Sequence, residues 1–167
     1  MLQAIDVACF FLDMDADKSV FTKNLVEKNG RKFWDGNAKL NKFLHLAQNI
    51  YIAKTEQPLI ADDFYAYDNG AVVPSIQENY SSLLKFHANR DISSITDEQK
   101  EFLKKFFKAF KSADLDELIA LSHEDDAWKE KAMYYRKPDQ KMDMAVDIAK
   151  YKEQYGDIVR VLDRMAS

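Results

Sequence analysis

Cysteine, glycine and proline are all scarce in this chain, and each shortage excludes something. The single Cys9 cannot form an internal disulfide, so the fold does not rest on covalent cross-links and suits a reducing cytoplasm. Its setting, Val-Ala-Cys-Phe-Phe, is apolar, which points to a buried, unreactive thiol. Only 4 Gly and 3 Pro leave few places for tight hairpins and favour helices over an all-β design. There is no glycine-rich phosphate loop, and no Ser or Cys stands in a nucleophile motif. Long apolar runs are missing too. Residues 7–12 are too few to span a bilayer, no basic stretch precedes them, and Asp13, Asp15 and Asp17 follow where a cleavage site would lie. Neither a signal peptide nor a membrane anchor is expected, and the protein reads as cytoplasmic.

What is present is ordinary for a globular protein. A chain of 167 residues fits one domain, expected to cover residues 1–167. At that size folding buries roughly 70% of the surface of the unfolded chain, so neither metal nor cross-link is required. The net charge of −4 gives no general attraction to nucleic acid or to an anionic membrane, and neither is expected as a partner.

Hydrophobic periodicity predicts a mainly α, compact helical bundle with a short extended or hairpin element around residues 64–73. A first helix is expected over residues 3–14, with Ile5, Ala8, Cys9 and Leu12 on one face. The polar stretch 13–37 is expected to be irregular, with a short helix around Phe21, Leu25 and Val26 capped by Ser19 or Thr22. Asn29-Gly30 reads as a turn or helix stop, and Phe33 and Trp34 as rings pinning a loop to the core. The clearest helix starts near Asn37 and carries Leu40, Phe43, Leu44, Ala47 and Tyr51 on one face until Pro58 forbids it. Phe64 and Ala66 alternate with Tyr65 and Tyr67 ahead of Asn69-Gly70, which suggests a strand and a turn.

Pro74 suits the first turn of a helix bearing Ile76, Tyr80, Leu83, Leu84 and His87. Thr96 and Gln99 form a capping-box signature for a helix with Phe102, Leu103, Phe106, Phe107 and Phe110 inward. Lys100, Lys104, Lys108 and Lys111 form its solvated face. Asp114 caps the next helix, residues 122–128 break the pattern, and Pro138 separates a tail. There Met142, Met144 and Val146 alternate. Asp147 caps a last helix, interrupted near Gly156, with Ile158, Val161, Leu162 and Met165 as its apolar side.

Three constellations tempt a catalytic or metal reading. Asp13, Asp15 and Asp17 open like a calcium loop, but Lys18 stands where the loop needs Gly and Asn24 where it needs a bidentate Glu. A solvated acidic connector is the simpler reading. His123-Glu124 lacks the second His one turn on, because that position is Ala127. His123, Asp125 and Asp126 could still serve a small metal-dependent hydrolase, against the plainer reading of a capped loop anchored by Trp128. His45 and His87 have no spaced partner and read as satisfied surface or core-edge residues. Phe64, Tyr65 and Tyr67 beside Asn69-Gly70 either anchor a partner or merely pack the turn onto the domain.

Two blocks, KLNKFLHLAQNIY and ADDFYAYDNGAVVP, resemble the Panacea antitoxin domain family, which includes SocA-like and phage-associated GepA-like proteins. The family's helix signature falls on Lys39, Leu40, Lys42, Phe43, Leu44, Ala47 and Gln48, and its turn on Tyr67, Gly70, Val72, Val73 and Pro74. A third block covers residues 123–128, and the likeness extends from Ile5 towards the C-terminus. Two family prolines are replaced, by Ala71 in the turn and Ala127 before the tryptophan, which removes a φ restraint at each.

The resemblance implies an α-rich, non-enzymatic antitoxin without a cofactor. Such a protein binds and neutralises a toxin encoded beside it, often on a prophage or mobile element. Delivery of the partner to a protease is the alternative mechanism that it implies. Tyr67, Asn69, Val72 and Trp128 are the candidate partner-binding residues.

Overall fold

One helix organises the molecule. In the computed structural model, which describes residues 1–132, 140–144 and 147–166, helix α2 (Asp35–Thr55) runs through the centre. Leu40, Phe43, Leu44, Leu46, Ala47, Ile50 and Ile52 are each at most 1% exposed, so its apolar residues are buried on more than one side. It starts at Asp35, two residues before Asn37. Asn37 instead lies in the first turn and donates its amide to the Gln77 carbonyl. At the far end Glu56 takes the left-handed conformation, with φ of 62°, two residues before Pro58.

Helix α1 (Ala4–Met14) enters the core almost entirely; Cys9 is 1% exposed, and burial pushes its thiol up to about 11. The irregular stretch after it departs from the sequence reading. Its expected short helix is a hairpin, β1 (Leu25–Lys28) paired antiparallel with β2 (Arg31–Trp34). Asn29 and Gly30 form the two-residue turn, with φ of 51° and 75°; both positive values fit the turn that matches strand twist. Ser19 and Thr22 cap nothing. Thr22 donates to Asp35, and Asp15 is buried, accepting the N–H groups of Ser19, Val20 and Phe21. The acidic connector is thus partly an internal brace rather than fully solvated.

The second hairpin is where the alternation placed it. Strands β3 (Tyr65–Tyr67) and β4 (Gly70–Val72) pair antiparallel, with Phe64 and Ala66 buried and Tyr65 and Tyr67 half-buried. Residues 140–142 add to the outer edge of β3, through Ala66 N–H to the Gln140 carbonyl and Met142 N–H to the Phe64 carbonyl. Val146 and Pro138 lie outside the described residues.

The helix expected after Pro74 is divided into α3 (Pro74–Glu78), α4 (Tyr80–Phe86) and a short 3₁₀ turn, His87–Asn89. Helix α5 (Asp97–Phe110) has the full capping box between Thr96 and Gln99, and its Phe stripe packs against Phe11 and meets Phe43 edge-on. Asp114 caps α6 (Leu115–His123) and is followed by α7 (Asp126–Ala132). Asp147 caps α8 (Ile148–Arg164), which continues through Gly156 without interruption and packs along α2. Tyr151, Tyr155 and Leu162 face inward, whereas Val161 is 56% exposed, so the apolar side lies partly off the expected one. The architecture is mainly α with two small antiparallel hairpins. Among the described residues no helix is long and apolar enough to cross a membrane.

Candidate functional site

Helix α2 carries a second, polar stripe that is as buried as the apolar one. Asn41, Lys42, His45, Gln48 and Asn49 recur at one-turn spacing on one face and are each at most 2% exposed. Buried polar groups must find partners or cost about 1–3 kcal/mol each. Here the partners are the backbone of residues 59–73, Asn37 one turn back, two side chains at the junction of α6 and α7, and the Tyr155 hydroxyl.

Gln48 behaves like a length of neighbouring strand. Its Oε1 accepts the N–H groups of Leu59 and Ile60, both at 2.8 Å, and its Nε2 donates to the Ile60 carbonyl at 3.0 Å. About two turns back along α2, Lys42 Nζ donates to the Ala71 carbonyl at 2.7 Å, Ser122 Oγ accepts the Ala71 N–H at 2.9 Å, and Asn41 Oδ1 accepts the Val73 N–H at 2.9 Å. The outer edge of β4 is therefore closed by side chains. That satisfies its backbone and removes a strand edge that another chain could pair with.

Behind this edge lies a hydrogen-bonded chain. His45 Nδ1 is 2.8 Å from Ser122 Oγ, and His45 Nε2 is 2.6 Å from Asp125 Oδ2. A Ser122 hydroxyl that accepts from Ala71 and donates to Nδ1 leaves the ring proton on Nε2, facing the carboxylate. Asn49 Nδ2 donates to Asp125 Oδ2 at 2.9 Å and to the Tyr155 hydroxyl at 3.2 Å, while Asn49 Oδ1 is buried without a partner among the described residues. Burial alone would raise the Asp125 carboxyl. The hydrogen bonds from His45, Asn49 and the Ala127 N–H instead hold it below the ordinary carboxylate value.

Serine, histidine and aspartate in this order have the composition of a nucleophilic triad. In this structure the three are enclosed: Ser122 and His45 are 0% exposed and Asp125 2%. The chain acts as a brace tying α2 to α6, α7 and α8.

The hydrolase cluster suggested by sequence is not assembled. Asp125 turns inward to His45, Asp126 turns outward to Lys150 at 3.5 Å, and His123 stacks on Trp128 with ring centres 3.9 Å apart. His123 Nε2 is 3.1 Å from the Asp68 carbonyl oxygen. Burial, together with the nearby Lys42 charge, keeps the His123 imidazole below its ordinary pKa against the opposing pull of that carbonyl. Among the described residues no group of three or more His, Cys, Asp or Glu side chains is placed to hold a metal. His45 is a core residue rather than a core-edge one, and His87 pairs with Asp13.

The four candidate partner-binding residues fall around one surface region. Tyr67, Asn69 and Val72 border a cleft of about 570 Å³ between β2, the first turns of α2, and the β3–β4 hairpin; Arg31, Phe33, Asn41 and Lys42 complete much of its wall. Trp128 borders a smaller adjoining pocket of about 300 Å³, also with Tyr67. Trp128 Nε1 is already committed to the Tyr67 carbonyl at 3.0 Å, and Val72 is 5% exposed. Asn69 ties the two hairpin turns together, accepting from Asn29 at 2.7 Å.

Sequence reasoning missed Lys42, His45, Ser122 and Asp125 as a unit. The signal on α2 is a polar i, i+1, i+4, i+7, i+8 pattern, Asn41, Lys42, His45, Gln48 and Asn49, on a helix whose other face is already apolar. Ala71 and Ala127 also feed this unit. Ala71 N–H donates to Ser122, and Ala127 N–H to Asp125 Oδ1 at 2.9 Å; a proline could supply neither.

No curated protein and no solved structure matches this chain. A family model described as Antitoxin SocA-like, Panacea domain, matches residues 40–129. That span is over half of the chain and contains α2 from Leu40, the β3–β4 hairpin, Ser122, Asp125 and Trp128. The chain belongs to the SocA-like Panacea antitoxin domain family.

Proposed function

We propose that this protein is a non-enzymatic antitoxin that binds and neutralises a cognate protein toxin encoded beside it on a prophage or mobile element. The observation that carries the reading is the family match over residues 40–129. The geometry supports it: the matched segment spends its ionisable groups on bracing a turn, and half-buried rings and amides border a cleft next to that turn. A rigidly held, amphipathic surface of this kind suits protein recognition, because little ordering entropy remains to be lost on binding.

Co-expression with the adjacent open reading frame tests the proposal. Expression of the neighbour alone arrests growth, and co-expression of this protein restores it without shortening the neighbour's half-life. A harmless neighbour, or arrest that persists, contradicts neutralisation. Restored growth with a shortened half-life replaces direct neutralisation by delivery to a protease.

A further inference from the structure

The strand edges of the two hairpins are not treated alike. The outer edge of β3 is taken by residues 140–142, and that of β4 by Lys42 and Ser122. The outer edge of β1 has no such cover. Backbone bonds along an antiparallel strand point alternately inward and outward. Asn24 points inward, its carbonyl accepting the Asp35 N–H at 2.9 Å, so Lys23, Leu25 and Glu27 point outward. Among the described residues none of their N–H and C=O groups has a partner. On β2 the Trp34 carbonyl is spent on the first turn of α2, which leaves a shorter open run. The side chains of Lys23, Leu25 and Glu27 share one face, where Trp34 stands opposite Leu25 and Lys32 opposite Glu27. The Lys23 ammonium lies 5.3 Å from the centre of the Trp34 ring, in keeping with that placement. Leu25 is 60% exposed, and among the described residues neither Glu27 nor Lys32 is in an ion pair. Lys28, on the opposite face, is held by Asp116 at 2.8 Å.

We propose that β1 pairs with β1 of a second copy of this chain, antiparallel about a twofold axis at Leu25, so that the two hairpins form one continuous sheet. In that register Leu25 faces its own copy, and Glu27 faces the second copy's Lys23. Each outward residue then exchanges both backbone bonds with its opposite. Across the shared face one row reads Trp34, Leu25, Leu25, Trp34, and the rows beside it read Lys32, Glu27, Lys23. Apolar groups lie beside apolar groups, and each carboxylate lies between two cations. Centring the pair on Glu27 sets two carboxylates opposite each other, and centring it on Val26 sets Leu25 against Glu27, so the side chains select one register. A strand from another protein would use the same backbone groups; the self-matching side chains select a second copy, as closed twofold pairing requires. The paired area is small, so the dimer is weak and depends on concentration. The inference stands apart from the antitoxin reading.

The test is sedimentation equilibrium of the full-length protein up to about 1 mM. The wild type is expected to dimerise as concentration rises, with slowed hydrogen exchange at the Leu25 and Glu27 amides. Lys23→Glu and Glu27→Lys, both at exposed positions, each set like charges opposite one another and are expected to weaken the dimer by about tenfold or more. An equimolar mixture of these two variants is expected to regain wild-type association, because every carboxylate then opposes a cation again. A wild type that stays monomeric, single variants that associate like the wild type, or a mixture that stays monomeric overturns the proposal. Protection of the Leu25 and Glu27 amides only when the product of the adjacent open reading frame is added also overturns it, and gives the edge to a strand of that protein.

Discussion

Replacing Lys42 with Met removes a titrating group from the core, and its signature is a change in how stability depends on pH. Burial pushes the Lys42 ammonium from 10.5 down to about 7. Between those values the unfolded chain binds a proton that the folded chain does not, so stability rises with pH across that window. Below about pH 7 both states are protonated and the folded protein carries the full cost of the buried charge. The complete shift corresponds to about 5 kcal/mol, at 1.36 kcal/mol per unit, of which about 2 kcal/mol is expressed between pH 7 and 9.

Met keeps most of the volume and does not titrate, but it leaves the Ala71 carbonyl without its donor, a pH-independent cost of about 1–3 kcal/mol. Urea unfolding of both proteins, followed by circular dichroism at several pH values, isolates the effect, because other groups cancel in the difference. The wild type is expected to gain about 2 kcal/mol on Lys42→Met from pH 7 to 9. A flat difference, or one of opposite sign, refutes the reasoning that Lys42 is held without a counter-charge.

The other predictions concern the same edge. Gly70→Ala places a Cβ at φ of +105°, 2.7 Å from Ser122 Oγ as well as close to Lys42, and is expected to cost more than about 2 kcal/mol in thermal unfolding. Gly156→Ala, in the middle of α8 with nothing nearer than 3.6 Å, is expected to stabilise by about 0.5–1 kcal/mol in the same assay. Asp125→Asn removes the carboxylate that His45, Asn49 and Ala127 hold. Since the folded carboxyl titrates below its unfolded value of 3.8, the wild-type advantage is full above about pH 4 and shrinks as pH falls further, which acid unfolding of the two proteins measures.

Much of the fold was legible because it rests on local signals. The capping box at Thr96, the caps at Asp114 and Asp147, and the alternation at 64–67 each act within a few residues, and each is observed. The β1–β2 hairpin was not legible, because its strands have four residues each and Leu25, which looked like a core residue, is 60% exposed. Gly156 suggested a break that α8 does not make, since packing on α2 overrides a modest propensity cost. The brace was hidden for a different reason. His45 meets Ser122 and Asp125 across 77 and 80 residues of sequence, a spacing set by tertiary structure alone. An apolar count on α2 also passes over Asn41, Lys42, Gln48 and Asn49, although their period matches that of the apolar face.

The family match begins at Leu40 and ends before α8, so the brace's inner members lie within it while Arg31, Phe33 and Tyr155 do not. One wall of the cleft therefore comes from matched residues and the opposite wall from outside them.

Hydrogen exchange on the purified protein, alone and with the product of the adjacent open reading frame, tests the central claim most directly. In the free protein the Ala71 and Val73 amides, held by Ser122 and Asn41, should already exchange slowly. Binding should add protection across residues 31–42 and 65–77. Rescue of growth without added protection in those two segments, or fast exchange at Ala71 and Val73 in the free protein, would contradict the account.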